Sequence, residues 1–124
     1  MTDSKLIDSS AWLSYFYAEN TRIRDVMESD DMLLTSSLSL FEVKLKLLKD
    51  KKEQSLIQKS LEIIKKRSLV IPMDTKIGEK AAEISIALRL SAIDSLIYTT
   101  SLTNNATLVT LDNDFRGLKD VLSL

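Results

Sequence analysis

The chain has 124 residues, a length that fits one domain and leaves no room for a second of that size. It contains no cysteine and no histidine, which excludes disulfides, zinc–thiolate sites, a cysteine nucleophile and histidine as a general base. The net charge is −1, no apolar run approaches the roughly 18–20 residues of a membrane span, and residues 1–8 show no signal-peptide pattern, so we expect a cytoplasmic protein.

The first third of the chain contains two short apolar runs with a helical pattern between them. Lys5–Ile7 predicts a first strand that ends at Asp8, and Met32–Thr35 predicts a second strand. The stretch from Ala11 to about Glu28 has apolar residues at near-helical spacing, and we expect a break in this helix near Asn20.

The middle of the chain contains two more helical patterns and a strand. Phe41, Leu45 and Leu48 form an i, i+4, i+7 apolar stripe, which predicts a helix with lysines on its other faces. A second stripe predicts a further helix, and the apolar run Leu69–Pro72 predicts a third strand. The second stripe consists of Leu56, Ile57, Leu61 and Ile64.

The last part repeats this alternation. Two apolar stripes predict two helices, the second of which ends near Asn104–Asn105. Thr107–Thr110 is the clearest strand of the sequence, and Val121–Leu124 predicts an edge strand. The stripes consist of Ile77, Ala81, Ile84 and Leu88, and of Ile93, Leu96, Ile97 and Thr100. Strands separated by helices indicate βαβ units, so we expect an α/β fold with a parallel sheet covered by helices.

Five acidic residues lie where predicted strands end or predicted helices begin. Asp8 follows the first strand, and Asp112 and Asp114 follow the Thr107–Thr110 strand. Functional sites of open α/β sheets form at the carboxyl ends of the strands. Glu42 and Asp94 are expected in the first turns of two helices that could line the same crevice. Carboxylates without histidine or cysteine favour a hard cation such as Mg²⁺, Mn²⁺ or Ca²⁺.

Each of these carboxylates also has a local structural interpretation. Asp8 could cap the helix that follows it. Ser39-x-x-Glu42 matches a capping box, and Ser91-x-x-Asp94 is close to one. Asp112 and Asp114 could form Asx turns at the strand exit. Periodicity alone does not decide between capping and a metal site.

Four motifs in order resemble the PIN-domain family, and most closely its small VapC-type toxins. Leu6–Trp12 contains IDSSAW, which is similar to the end of the family's first strand. A Ser/Thr-rich strand leads to an acidic helix start in Thr35–Glu42, and an x-D-x-L-I stretch lies in Ala92–Ile97. The T-x-D-x-D-F pattern is complete in Thr110–Phe115. The lead-in Arg89–Ala92 departs from the Gly-rich or Leu-rich family pattern without touching a carboxylate.

The resemblance implies a single PIN-like nuclease domain over residues 1–124, with a three-layer α/β/α fold and a central parallel sheet. It implies a metal-dependent endoribonuclease that uses one or two Mg²⁺ or Mn²⁺ ions. The implied ligands are Asp8, Asp94 and Asp112, and Glu42 directly or through water. Asp114 is a second candidate for the fourth position. It also implies an RNA substrate, a homodimer and an antitoxin protein as partner.

Other residues have roles that the sequence leaves open. Ser9 and Thr110 could orient the carboxylates, or only cap and pair locally. The basic block, defined as residues 44–67, could follow an RNA backbone, bind an acidic partner or form a solvated helix face. The aromatic run favours core packing or a dimer face over base stacking. This run consists of Trp12, Tyr15, Phe16 and Tyr17.

Two other classes of protein compete with the nuclease. In the first, the carboxylates only cap helices, and the chain is a non-catalytic PIN-like binding module whose basic face binds protein or RNA. The second is a phosphoacceptor receiver domain, which is also a small doubly wound sheet. That class expects an acidic pair after the first strand, but Asp8 is followed by Ser9 and Ser10.

Overall fold

The computed structural model describes residues 3–124, and its secondary structure alternates between strand and helix. The strands are β1 (Ser4–Ile7), β2 (Met32–Ser36), β3 (Leu69–Ile71), β4 (Thr107–Thr110) and β5 (Val121–Ser123). The helices are α1 (Ser9–Phe16), α2 (Thr21–Met27), α3 (Ser37–Lys49), α4 (Gln54–Arg67), α5 (Thr75–Leu88) and α6 (Ala92–Thr103), and a 3₁₀ turn covers Asn113–Phe115. None of the helices within these residues has the length and apolar character that a membrane crossing requires.

The strands form one parallel sheet in the order β3-β2-β1-β4-β5. The central strand is β1, where Leu6 pairs with Leu34 of β2 on one side and with Leu108 of β4 on the other. This arrangement confirms the predicted α/β class. Because the strands are parallel, their carboxyl ends share one edge, and the residues after β1 and β4 are neighbours there.

Helices cover both faces of the sheet, because successive strand residues point to opposite sides. Ile7, Leu33 and Val109 face one apolar cluster, and Leu6, Leu34 and Leu108 face the other. The first cluster contains buried side chains from α1, α2, α3 and α4: Trp12, Ile23, Val43, Leu47, Ile57 and Ile64. The second contains Ile97 and Tyr98 of α6, with Ile84 of α5 packed against it. These layers confirm the predicted α/β/α arrangement.

The predicted break near Asn20 is present and has a clear cause. Asn20 is the N-cap of α2, and its side-chain oxygen accepts hydrogen bonds from the backbone amides of Arg22 and Ile23. The preceding helix begins at Ser9 rather than Ala11, because Asp8 caps it. Capping side chains therefore fix the boundaries that apolar periodicity leaves uncertain.

The predicted helix α3 is present, but its apolar stripe is not the side that packs against the core. The residues that α3 buries are Ser39, Val43 and Leu47, at a spacing of four residues. Phe41 and Leu48 of the predicted stripe are 63% and 53% exposed. A small serine replaces an apolar residue on the buried face, so hydrophobicity alone marks the wrong side.

A chain of buried hydrogen bonds joins α1, β2 and the end of α4. The Trp12 indole donates to Thr35 Oγ1 at 3.1 Å, and Thr35 Oγ1 lies 2.7 Å from Ser68 Oγ. Ser68 Oγ donates to the Ile64 carbonyl at 2.6 Å, so the Thr35 hydroxyl donates to Ser68. Thr35 is therefore both the acceptor for Trp12 and the donor to Ser68.

We expect Thr35→Val to destabilise the protein, because it leaves the buried Trp12 indole without an acceptor. A buried polar group that has no hydrogen-bond partner lowers the stability of the folded state by about 1–3 kcal/mol. Thr99 is the matched control, since it is also fully buried and its hydroxyl has no hydrogen-bond partner within residues 3–124. Thr99→Val should be neutral or stabilising. Urea unfolding followed by Trp12 fluorescence measures both, and equal effects of the two variants would contradict this role of Thr35.

Candidate metal centre

The predicted carboxylates meet at the carboxyl edge of the sheet. Asp8 follows β1, and its backbone amide donates to the Val109 carbonyl of β4 at 3.0 Å. Asp94, Asp112 and Asp114 each offer an oxygen, and these oxygens lie within 4.8 Å of one another. Asp94 reaches this cluster from the first turn of α6, and the other two from the segment after β4.

Asp8 is almost fully buried, and both of its oxygens accept hydrogen bonds. Oδ1 accepts from the Ser9 amide at 2.8 Å, and Oδ2 accepts from Ser10 Oγ at 2.9 Å and Thr110 Oγ1 at 2.8 Å. The two hydroxyls in turn accept from the backbone amides of Leu111 and Asp112, at 3.0 and 2.9 Å. Asp8 is thereby locked to the segment that carries the other carboxylates.

The expected contacts of Ser9 and Thr110 with the carboxylates are present, and Ser10 is an addition. Sequence reasoning overlooked Ser10, although it stands in the IDSSAW motif two residues after the acid. A serine at that spacing in the first turn after an N-cap aspartate can reach back to the carboxylate. The signal was therefore available in the motif itself.

Glu42 joins the group through Ser9, but not from the position that was expected. Ser9 Oγ donates to Glu42 Oε1 at 3.2 Å, and the Ser9 amide holds Asp8. Glu42 lies in the second turn of α3, because the helix begins at Ser37 with Ser36 as its N-cap. The capping box at Ser39 is therefore not formed, and the buried Ser39 hydroxyl has no partner within residues 3–124.

The other structural interpretations of the carboxylates are observed in part, together with the cluster. Ser91 caps α6 by accepting from the Asp94 amide at 3.3 Å, which is the half of the capping box that does not involve the Asp94 carboxylate. Asp112 Oδ1 accepts from the Asp114 amide at 2.9 Å, which is an Asx turn. Asp8 is the N-cap of α1. Local capping contacts and the cluster are thus compatible here, because residues with such contacts still have carboxylate oxygens that face one another.

The crowded carboxylates perturb the proton affinities of three members. Burial raises the pKa of Asp8 above its ordinary value, although the hydrogen bonds that it accepts act in the opposite direction. Partial burial and then repulsion from the Asp8 carboxylate raise the pKa of Glu42. Burial and then repulsion from Asp112 raise the pKa of Asp94. The site therefore concentrates negative charge that the surrounding protein does not neutralise.

The donor set fits a divalent cation. Two oxygens bound to one Mg²⁺ or Ca²⁺ ion, at roughly 2.0–2.6 Å from it, lie at most about 5 Å apart, which accommodates the Asp94, Asp112 and Asp114 oxygens. Within residues 3–124, the salt bridges join Lys5 to Asp31 and Lys46 to Asp50, and neither includes a member of the cluster. A bound cation would supply the missing positive charge.

We expect Glu42→Gln to stabilise the metal-free protein increasingly as pH rises from 4.5, the ordinary pKa of this carboxyl. A raised pKa means that the native state binds the proton more tightly than the unfolded state, so stability falls as pH rises through the folded value. A glutamine at this position does not titrate, so Glu42→Gln removes this loss of stability. Urea unfolding of both proteins in chelator between pH 4 and pH 8 measures the difference.

Asp50 supplies a control of opposite sign. The hydrogen bond from the Tyr17 hydroxyl, at 2.7 Å, and then the one from Lys46 lower the pKa of Asp50. The same hydrogen bond raises the pKa of Tyr17 to about 12, so both shifts keep the proton on the phenol. Asp50→Asn should therefore be less stable than the wild type near neutral pH, and the gap should close as pH falls through the folded pKa of Asp50. Parallel pH profiles for the two variants would contradict both assignments.

The aromatic run packs against the first apolar cluster. Trp12 is fully buried, and Tyr15, Phe16 and Tyr17 are partly buried around it. The rings of Trp12 and Phe16 stack with centroids 5.9 Å apart. This placement agrees with core packing, which is one of the two interpretations that the sequence favours over base stacking.

The basic block does not form one surface. Arg67 is structural, because its guanidinium donates to the carbonyls of Met27 at 2.7 Å and Ser29 at 2.8 Å. Lys46 and Lys49 line a groove that also contains Glu42. Lys44 and Lys52 line a different groove, between α3 and α4. Two of the lysines are thus next to the carboxylate group, while others face elsewhere.

Comparison with known proteins relates the fold to solved structures, although no match is found among curated protein sequences. A toxin–antitoxin complex from Klebsiella pneumoniae has a TM-score of 0.78 at 19% identity, covering 96% of this chain and 96% of that chain. VapBC2 from Rickettsia felis, bound to a promoter DNA fragment, has a TM-score of 0.79 at 20% identity, covering 98% and 97%. VapC20 from Mycobacterium tuberculosis, a sarcin–ricin loop cleaving toxin, has a TM-score of 0.75 at 17% identity, covering 94% and 96%.

At these identities the structures establish a shared fold, and they confirm the expected likeness to VapC-type proteins at that level. The sequence supplies the family independently. A family model described as the PIN domain matches residues 5–121, which includes the five carboxylates and both hydroxyls that hold Asp8. With the parallel sheet and the acidic cluster at its carboxyl edge, the assignment is complete: this chain belongs to the PIN-domain family.

Proposed function

We propose that residues 1–124 act as one metal-dependent endoribonuclease domain that hydrolyses RNA phosphodiester bonds. The observation that carries the proposal is the convergence of carboxylate oxygens from Asp94, Asp112 and Asp114 within 4.8 Å, beside the buried Asp8. Within residues 3–124 no lysine or arginine forms a salt bridge with these carboxylates, and oxygens grouped in this way suit a hard divalent cation. The family and the order of its motifs support the same reaction.

The residues proposed to hold Mg²⁺ or Mn²⁺ are Asp8, Glu42, Asp94 and Asp112. Asp114 belongs to the same group of oxygens, so it competes with Asp112 for the fourth position or binds alongside it. Asp8 has little rotational freedom, because Ser10 and Thr110 hold one oxygen and the Ser9 amide holds the other. Ser9 also positions Glu42. Fixed ligands lower the cost of assembling the site.

When bound, a divalent cation neutralises charge that develops on the phosphate and lowers the pKa of a water molecule. Glu42 lies at the edge of the site and opens onto a groove, so it is the member that we propose to hold the ion either directly or through a water molecule. Asp8 is held rigidly by its hydrogen bonds and acts as an anchor.

The same reasoning suggests the biological setting. The solved structures with this fold include toxin–antitoxin complexes, so we propose that the protein is the toxin of such a pair and that an antitoxin protein is its partner. A homodimer belongs to this proposal. A cytoplasmic location, where such a substrate is available, belongs to the same proposal.

A non-catalytic binding module is the competing function, and one observation favours it. Asp8 and Asp112 each accept a capping hydrogen bond at the start of an element, and Asp94 lies in the first turn of α6, so each has a local structural reason to be present. Capping does not explain why their oxygens face one another or why Glu42, which caps nothing, joins them. The two functions differ in their response to metal ions.

The direct test is cleavage of a single-stranded RNA by the purified protein. We expect cleavage with Mg²⁺ or Mn²⁺ and none when a chelator is in excess, with activity restored when Mn²⁺ is added back. RNA integrity on a denaturing gel is the measurement. RNA that stays intact at every metal concentration would contradict the proposed function and favour the binding module.

A further inference from the structure

Arg116 directly follows the 3₁₀ turn that carries part of the carboxylate cluster. This turn starts after Asp112 and contains Asp114. Its last residue is the fully buried Phe115, which fixes the turn to the core, and the Arg116 amide donates to the carbonyl of the first residue of the turn at 3.0 Å. Two residues of chain span at most about 7 Å, so the backbone of Arg116 lies next to the cluster.

The Arg116 side chain has one hydrogen-bond partner within residues 3–124. Its Nη2 donates to Asn113 Oδ1 at 2.9 Å. Side chains three residues apart eclipse one another in a 3₁₀ turn, so Asn113 and Arg116 meet on one side of it. A guanidinium has five N–H groups, and this contact uses one of them. Because both side chains are exposed, the other N–H groups are available to a ligand.

The positive charge of Arg116 is not paired with the carboxylates beside it. Arginine readily forms salt bridges with carboxylates, often through two parallel hydrogen bonds. Oxygens of three carboxylates converge close to Arg116, but none of the salt bridges within residues 3–124 includes it. The guanidinium is directed to Asn113 instead. The carboxylates therefore stay free for a cation, and the charge of the arginine stays free for an anion.

The place of this free charge favours a phosphate of the proposed substrate. A phosphate lies at every nucleotide of an RNA strand, so a strand whose scissile phosphate is at the metal centre brings further phosphates close to it. The planar guanidinium matches phosphate oxygens through two parallel hydrogen bonds. A contact of this kind positions the strand without reading its sequence.

We propose that Arg116 binds a backbone phosphate of the RNA next to the scissile one, and that Asn113 is the positioning residue that keeps the guanidinium off the carboxylates. The inference rests on the proposed ribonuclease function and adds a substrate-binding residue to its acidic site. The segment Thr110–Phe115 then has two roles. Its aspartates hold the cation, and the asparagine between them orients the arginine that holds the strand.

Binding of a fluorescein-labelled single-stranded RNA in excess chelator measures the phosphate contact without cleavage. Each phosphate that a cationic side chain neutralises contributes about 0.7 to the magnitude of the slope of log affinity against log salt. Arg116→Ala should therefore lower that magnitude by about 0.7 and weaken binding at low salt by up to about fivefold, the upper range for an exposed charge pair. Arg116→Lys keeps the charge, so it should keep most of the slope.

Arg24→Ala is the matched control for the loss of an arginine. Arg24 is exposed in the last turn of α2, which leads to the amino end of β2, whereas the cluster lies at the carboxyl edge of the sheet. Its removal causes the same change of net charge at a distance from the proposed strand path. The slope for Arg24→Ala should equal that of the wild type.

Asn113→Ala tests the positioning role through metal binding in the absence of RNA. Without its hydrogen bond to Asn113, the guanidinium should pair with the neighbouring carboxylates and compete with a cation. Mn²⁺ binding, measured from the EPR signal of the free ion, should weaken by up to about fivefold. The double variant Asn113→Ala/Arg116→Ala should restore the affinity of the wild type, and Arg116→Ala alone should not weaken it. An asparagine that only stabilises the turn would not show this recovery.

The two roles can be overturned separately. A salt slope of Arg116→Ala equal to that of Arg24→Ala, or a wild type that does not bind the RNA at low salt, would overturn the phosphate contact. Mn²⁺ affinity that is unchanged in Asn113→Ala, or that stays low in the double variant, would overturn the positioning role. Neither measurement requires cleavage. A lower slope in Arg116→Ala, with a wild type that never cleaves RNA, would support the phosphate contact and contradict the nuclease.

Discussion

Asp94→Asn should abolish metal-dependent RNA cleavage while the protein remains folded. Asparagine keeps the shape of the side chain and removes the negative charge from the group that Asp94 forms with Asp112 and Asp114. Loss of residues that merely support metal ligands typically costs 10–100-fold in affinity or activity, so loss of a direct ligand should cost more than about 100-fold. The rate of cleavage at saturating Mn²⁺ is the measurement.

Asp30→Asn is the matched control for this variant. Asp30 is an exposed aspartate that precedes β2, at the amino end of the strand, whereas the cluster lies at the carboxyl edge of the sheet. It undergoes the same chemical change without touching the site, so its activity should equal that of the wild type. If highly purified Asp94→Asn cleaved RNA as fast as Asp30→Asn, the ligand assignment would be wrong.

The thermal stability of Asp94→Asn should reveal the same site without any substrate. In the metal-free protein, carboxylates held together repel one another, so removing one charge should leave the melting temperature unchanged or raise it. A cation that binds the native state stabilises it by about 2.7 kcal/mol at a hundredfold excess over Kd. Mn²⁺ should therefore raise the melting temperature of the wild type, and most of that shift should be absent in the variant.

Capping alone predicts the opposite pattern. An aspartate in the first turn of α6 interacts favourably with the helix dipole, which is worth roughly 0.3–1 kcal/mol. If this were its whole role, Asp94→Asn would melt lower than the wild type in chelator and in Mn²⁺ alike. Melts of both proteins under the two conditions separate the possibilities, and a wild type indifferent to Mn²⁺ beside a destabilised variant would remove Asp94 from the metal centre.

The alternation of strands and helices could be predicted from the sequence because it is a local property. A strand such as Thr107–Thr110 is short, β-branched and bounded by polar residues, and such patterns need no knowledge of the remaining chain. The resemblance to a family then placed the acidic residues in one site. In the structure, oxygens of Asp94, Asp112 and Asp114 converge. Ser9 links the other two acids, because its amide donates to Asp8 and its hydroxyl donates to Glu42.

What the sequence could not provide depends on contacts between distant residues. The buried face of α3 follows from how the helix leaves β2, and Ser39 on that face gives no hydrophobic signal. The hydroxyl of Thr110 reaches Asp8 only because β1 and β4 are neighbours in the sheet. The exposure of Phe41 could not be predicted for the same reason, since an apolar stripe does not say which of its members is buried.

The central position of β1 has a consequence for the time at which the site forms. Asp8 and Thr110 are separated by 102 positions, and ribosomes add roughly 5–20 residues per second. During synthesis, Asp8 is therefore made roughly 5–20 s before Thr110, whose hydroxyl holds it, and before the acidic segment that follows β4. Pairings of this range are also slow to form, because a long loop must close before they contribute. Whatever chemistry the carboxylates perform, a growing chain cannot perform it until nearly all of the described residues have been made. A cell thus has an interval in which a partner could meet the protein before its site is complete.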